Sequence, residues 1–98
     1  MPYVEKTKPL WESDLDQDPS HQIIVYNDEV NTFAYVIETL IEVCGHKPLQ
    51  AEQCTLIIHH KGKCSVKVGN FNELAPMCTA ICERGISAEL VINPDYYH

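Results

Sequence analysis

The spacing of apolar side chains changes repeatedly along the chain, and this pattern constrains the fold more than any other feature. Apolar runs with the β-branched content or the alternation typical of strands occupy residues 22–26, 63–68 and 86–92. Two stripes with helical spacing separate the first strand from the second, and one more precedes the third strand. The order strand-helix-helix-strand-helix-strand predicts an α+β fold, a two-layer sandwich of a three-stranded antiparallel sheet and three helices.

The predicted strands differ in the burial that we expect for them. The first strand, Gln22 to Tyr26, is expected to be buried on both faces or nearly so. The last strand alternates from Ile86 and stops at Pro94. The alternation of apolar and polar residues over 63–68 predicts a middle strand with one buried and one exposed face. Its buried face would carry Cys64, Val66 and Val68, and its exposed face Lys63, Ser65 and Lys67.

Short polar residues, prolines and glycines mark the ends of the predicted helices. Asn31 or Thr32 can cap the first helix, which Gly45 can end. Pro48 suits the first turn of the second helix, which Gly62 closes. The third helix has a polar cap and a glycine beyond its last apolar residue, Asn70 and Gly85.

The chain of 98 residues is long enough for a single hydrophobic core. Residues 1–20 carry several prolines and acids with little apolar surface, so we expect a mobile N-terminal arm. Residues 21–93 are expected to form the core domain, and residues 94–98 a C-terminal tail.

The charge balance disfavours several classes of partner. The chain has 14 acidic and 7 basic side chains and a net charge of −7, so neither nucleic acid nor a membrane surface is an expected partner. No apolar run reaches the ~18 residues of a membrane span, and the amino end lacks the apolar segment of a secretory signal. We therefore expect a cytoplasmic protein whose 5 cysteines are reduced.

Two histidines and two cysteines raise the question of a metal site or a thiol enzyme. His59 and His60 are adjacent, so on a helix their side chains point about 100° apart. Cys54 and Cys64 do not complete a zinc-ligand spacing with them, and neither cysteine has a local signature of a nucleophile. We expect no metal, no cofactor and no enzymatic activity, but a small metal or thiol enzyme built on His59, His60 and Cys64 remains an alternative.

The segment YNDEVNTF joins the first strand to the first helix. Asn27 and Asp28 are common turn formers, and Asp28 also favours the positive end of a helix. The same side chains are hydrogen-bond acceptors, so they could instead receive the N–H groups of a ligand.

From Gln22 to about Ile92 the chain resembles the ClpS family, the N-end rule adaptors of a Clp AAA+ protease. The resemblance rests on VYNDEVNTFAYVIETL, IIHHKGKC and ERGISAELV, and on the spacing between Asn27-Asp28 and His59. It implies a non-enzymatic adaptor that binds the free N-terminal amine and bulky hydrophobic first residue of N-degron peptides and proteins. It also implies docking on the N-domain of a ClpA- or ClpC-like unfoldase, which the mobile arm would engage.

The resemblance further implies which residues bind the substrate. Asn27, Asp28 and His59 would each accept a hydrogen bond from the α-amine. Asn31 and Thr32 would hold the first backbone groups of the peptide. The residues implied for the hydrophobic pocket come from both first helices and the last strand, and they are Phe33, Val36, Thr55, Ile58, Ser87 and Ala88.

Two of these pocket positions depart from the common pattern of the family. Many ClpS sequences carry a methionine where Phe33 stands and an apolar residue where Thr55 stands. A rigid ring and a hydroxyl change the shape and polarity of the pocket, which leaves the preferred first residue open. The main alternative function is a small protein-interaction domain with a groove that does not read free amino termini.

Overall fold

The computed structural model describes residues 18–97, and most of the predicted mobile arm lies outside this range. The element order confirms the predicted fold class. The elements are β1 (His21–Tyr26), α1 (Phe33–Cys44), α2 (Pro48–Lys61), β2 (Lys63–Gly69), α3 (Phe71–Glu83) and β3 (Ala88–Ile92), followed by a 3-10 turn (Pro94–Tyr97).

The sheet has the strand order β2-β1-β3, and β1 pairs antiparallel with both neighbours. One face of β1 is fully buried through Ile23 and Val25, which belong to a single apolar cluster with residues of all three helices. The other face of β1 is only half-buried, because the helices form a single layer. The expectation of burial on both faces was therefore wrong for Gln22, Ile24 and Tyr26.

A β-bulge interrupts the pairing of β1 with β2. Ile23 pairs with Lys67 and Ile24 pairs with Ser65, so Val66 is the extra residue of β2. Because side chains alternate along a strand, one extra residue exchanges the two faces beyond it. The predicted alternation was therefore wrong after the bulge: Lys67 shares the helix side with Ile23, and Val68 is 47% exposed.

The connection between α1 and α2 anchors the bulge. His46 is buried there, and its Nε2 lies 2.7 Å from the carbonyl oxygen of Val66, so Nε2 carries the proton and donates. Lys67 Nζ donates to the Cys44 carbonyl at the end of α1, at 3.3 Å. A cation at the carboxyl end of a helix is electrostatically favourable. These two contacts tie the helical hairpin to the irregular part of the sheet.

The predicted helix ends are present. Thr32, the alternative to Asn31, caps α1 by accepting a hydrogen bond from Tyr35 N at 3.1 Å. Gly45 follows α1 with a φ of 73°, a conformation that favours glycine. At the other end of the fold β3 starts at Ala88, so Ile86 lies in the connection before the strand rather than in it.

The first and last described segments are joined by hydrogen bonds. Asn93 donates from its backbone to Ser20 O and from its side chain to Pro19 O, both at 2.8 Å. Among residues 18–97, the structure has no helix with the length and apolar character needed to cross a membrane.

Candidate functional site

The turn between β1 and α1 is held by two neighbouring connections. Tyr26 N donates to Ser87 O, and Asn27 N donates to Gly62 O, each at 2.9 Å. The carboxyl end of β1 is thereby fixed between the α2–β2 and α3–β3 connections. The side chain of Asn27 remains exposed at this point.

Asp28 organises the turn through its carboxylate. Its Oδ1 accepts from the backbone N–H groups of Val30 and Asn31 at 3.0 and 2.9 Å. The Asn31 backbone N–H is the largest cause that lowers the pKa of Asp28 below its ordinary value of 3.8, so the carboxylate is ionised at neutral pH. Asp28 Oδ2 accepts only from Asn31 Nδ2 within the described structure, at 2.9 Å, and therefore retains capacity for a further donor.

The side-chain amide of Asn31 is already used inside the protein. Asn31 Nδ2 donates to both oxygens of Asp28 and to Gly85 O at 3.0 Å. Asn31 thus links the turn before α1 to the connection before β3. The predicted contact of Asn31 and Thr32 with peptide backbone stays a prediction, and the hydroxyl hydrogen of Thr32 is free of the capping bond, in which the oxygen accepts.

A cavity of about 400 Å³ opens beside this turn, between α1 and α2. The residues that the resemblance implied for the amine, the peptide backbone and the pocket all line this cavity, apart from Ser87 and Ala88. Its lining includes Asn27, Asp28, Asn31, Thr32, Phe33, Val36, Thr55, Ile58 and His59.

Four residues of the cavity lining were not among the implied site residues, and they are Val25, Tyr26, Glu29 and Ile86. Ile86 and Val25 are buried. Ser87 and Ala88 instead line a shallower neighbouring groove. The available signal was the start of the apolar alternation at Ile86, directly after a glycine turn.

The cavity has an apolar interior and a more polar mouth. Val36, Ile58 and Ile86 are buried in its wall. Phe33 is 39% exposed, and its ring meets the His59 ring edge-on with 5.9 Å between centroids. An apolar group can therefore be enclosed while a polar group attached to it stays at the mouth.

The mouth carries acceptors and negative charge. Asp28 and Glu29 both line it, next to the amide of Asn27. His59 is exposed in the last turn of α2, and neither of its ring nitrogens has a hydrogen-bond partner among residues 18–97. This arrangement suits a cationic donor group joined to an apolar body.

The sequence left open a metal or thiol enzyme built on His59, His60 and Cys64. No group of three or more His, Cys, Asp or Glu side chains within the described residues could hold a metal ion. Burial raises the pKa of the Cys64 thiol to about 11, so this cysteine is protonated at neutral pH and lacks the thiolate that a nucleophile requires.

Comparison with known proteins shows which family this sequence matches. Residues 16–90 match the family model described as ATP-dependent Clp protease adaptor protein ClpS. The ATP-dependent Clp protease adapter protein ClpS of Campylobacter jejuni is 35% identical over 59 residues, which is 60% of this chain and 62% of that protein. The protein of the same name from Shewanella denitrificans is 37% identical over 60 residues, covering 61% and 59%. The chain thus spans less than two thirds of the length of these relatives.

A solved structure has the same fold. Agrobacterium tumefaciens ClpS2 bound to L-phenylalaninamide superposes with a TM-score of 0.70 and covers 76% of this chain and 99% of that one. The sequence identity is 16%, so this likeness concerns the fold.

Proposed function

The chain belongs to the ClpS family of Clp protease adaptors, and we propose that it binds the free amino terminus of N-degron proteins. In this proposal it captures the α-amine together with a bulky hydrophobic first side chain and delivers the substrate to a Clp AAA+ unfoldase. The observation that carries the proposal is the joining of an acceptor-lined mouth to an apolar interior in one cavity.

The mouth would receive the α-ammonium group. This group has three N–H donors, and Asn27 Oδ1, Asp28 Oδ2 and a neutral His59 nitrogen can each accept one. Hydrogen bonds to a charged group contribute about 1.5–3 kcal/mol each where water is partly excluded. Acetylation removes the charge and two of the donors, so an acetylated terminus would leave acceptors unpaired.

The interior would receive the first side chain. Burying a large apolar side chain contributes about 1.5–3 kcal/mol, and Val36, Ile58 and Ile86 supply the surface for it. Because the mouth and the interior are adjacent, both contributions require that the amine and the side chain belong to the same residue. The ligand of the ClpS2 structure, L-phenylalaninamide, has this combination of a free amine and an apolar side chain, which supports the proposal.

The adaptor itself would perform no chemistry. Its partners would be N-degron peptides and proteins on one side and the N-domain of a ClpA- or ClpC-like unfoldase on the other, in the cytoplasm. The N-terminal arm, which lies mostly outside the described residues, would engage the unfoldase.

A fluorescence anisotropy titration tests the proposal. The ligands are one short peptide that begins with Leu, the same peptide acetylated, and the same peptide with a glycine placed before the leucine. We expect at least about 100-fold weaker binding of the acetylated peptide and weakened binding of the glycine-extended one, in which the amine is separated from the side chain. Equal binding of all three would contradict the proposal and favour an interaction domain that does not read free amino termini.

A further inference from the structure

Thr55 is a polar residue in the buried wall of the cavity, beside apolar neighbours. The residue is 3% exposed and lines the cavity from α2. Its neighbours in the buried wall, Val36, Ile58 and Ile86, have only apolar side-chain atoms. A buried polar atom in such surroundings is costly unless it forms hydrogen bonds, so the bonding of Thr55 decides what the wall can recognise.

Within residues 18–97, the hydroxyl of Thr55 donates a hydrogen bond but accepts none. Oγ1 donates its hydrogen to Ala51 O, one helical turn earlier, at 2.8 Å. The oxygen keeps its lone pairs as acceptors. No N–H or O–H group of residues 18–97 donates to it. The acceptor capacity of this oxygen is therefore unused among the described residues.

We propose that Thr55 is a specificity-determining residue that favours first side chains with a polar hydrogen, tyrosine and tryptophan, over phenylalanine and leucine. This inference rests on the proposed function and narrows its substrate class. A tyrosine O–H or an indole N–H in the cavity would donate to Thr55 Oγ1. In a fully apolar cavity the same group would lose its hydrogen bonds to water without replacement, so the apolar side chains would be preferred there.

The rim and the size of the cavity agree with an aromatic occupant. Phe33 and His59 already meet edge-on at the mouth, an arrangement that a third ring can extend. The volume of about 400 Å³ lies in the range of pockets that enclose whole small molecules, which agrees with a large first side chain.

Four peptides that differ only in a first residue of Tyr, Trp, Phe or Leu test the inference by anisotropy titration. We expect the wild-type protein to bind the Tyr and Trp peptides roughly three- to tenfold more tightly than the Phe peptide. This ratio of affinities corresponds to the free energy of about one neutral hydrogen bond. Thr55→Val removes the acceptor at nearly constant shape and should abolish or reverse the ratio of Tyr to Phe binding. Thr55→Ser keeps the hydroxyl and should preserve that ratio.

Thr79→Val is the matched control, because Thr79 is exposed on α3 and away from the cavity lining. Thermal unfolding of each variant shows that it is folded, and the ratio of two affinities in one variant is insensitive to a shared loss of active protein. Equal binding of the Tyr and Phe peptides by the wild type, or an unchanged ratio in Thr55→Val, would overturn this inference alone. Absence of binding by all four peptides would overturn it together with the proposed function.

Discussion

The mouth and the interior of the cavity are built in different ways. The mouth consists mainly of the consecutive residues 27–32, which are mostly exposed and are ordered by hydrogen bonds within the turn. The interior combines side chains of β1, α1, α2 and the connection before β3, which are mostly buried and held by packing. A change at the mouth should therefore alter binding more than stability, whereas a change in the interior should alter both.

One side chain joins the two regions. Asn31 donates to Asp28 at the mouth and to Gly85 O, next to the interior residue Ile86. Tyr35 Oη donates to Arg84 O at 2.8 Å from the following turn of α1. The connection that carries Ile86 is thus fixed from α1, so the interior depends on contacts between segments that are distant in sequence.

The largest expected effect concerns the interior. Ile86→Ala removes a buried side chain from a wall shared by the cavity and the core, and it should lower the free energy of unfolding by about 2–4 kcal/mol. Urea denaturation measures this change. Ile57→Ala is the matched control, because Ile57 is 43% exposed on α2, and we expect a clearly smaller loss. Equal losses in the two variants would contradict the assignment of Ile86 to the interior.

At Asp28 we expect a smaller effect on stability than at Ile86, through the hydrogen bonds of the turn, and a clear effect on binding. Asp28→Ala removes the carboxylate that would face the amine, and it should weaken binding of a free Leu peptide by at least about 1.5 kcal/mol. Asp28→Asn can keep an oxygen for the turn bonds of Val30 and Asn31. It removes the charge and replaces Oδ2, which accepts from Asn31 Nδ2 and would face the amine, by an amide group that donates. A binding change within error for Asp28→Ala would leave this residue with a purely structural role in the turn.

The smallest of these effects is the dependence of binding on pH. A protonated His59 could no longer accept from the amine. Binding should therefore weaken about three- to tenfold when the pH is lowered from 7.5 to 5.5. His59→Gln should flatten the curve, whereas His60→Gln should not, since His60 does not line the cavity.

Asp28 cannot produce this pH dependence. Its pKa is lowered below 3.8, first by the hydrogen bond from the Asn31 backbone. A carboxylate with a depressed pKa contributes fully above its ordinary pKa and loses its contribution only as the pH falls through the depressed value. It therefore stays charged throughout the titration. A curve that is flat from pH 7.5 to 5.5 in the wild-type protein would contradict the role of His59.

The local structure of the mouth was easier to predict from the sequence than the interior, because it depends on contacts between neighbouring residues. The caps and turns depend on neighbouring residues, so residue type alone narrowed the cap of α1 at the mouth to Asn31 or Thr32. Residue type also placed Pro48 and Gly62 at the ends of α2, outside the mouth. The apolar stripes predicted the two helices between β1 and β2, on which Val36 and Ile58 are buried. Thr55 entered the pocket set through the family resemblance, because a polar residue gives no apolar periodicity.

The wrong predictions concern positions where segments that are distant in sequence pack against each other. The bulge at Val66 depends on how β1 and β2 pair and on the His46 ring that contacts its carbonyl, so the reversed positions of Lys67 and Val68 have no local signal. Ile86 was predicted to lie in a strand because it is two positions before Ala88, the spacing of apolar residues on one face of a strand. Its place in the cavity wall follows from the contacts that fix the preceding turn to α1.

The most direct test of the central claim is an NMR titration of the ¹⁵N-labelled protein with the free Leu peptide and with its acetylated counterpart. If the mouth and the interior form one site for a free amino terminus, the free peptide should shift the backbone amide signals of Asn27, His59 and Ile86 together. The acetylated peptide at the same concentration should leave these signals in place. Equal shifts with both peptides, or shifts confined to exposed residues of α2 such as Leu49 and Ile57, would contradict the claim.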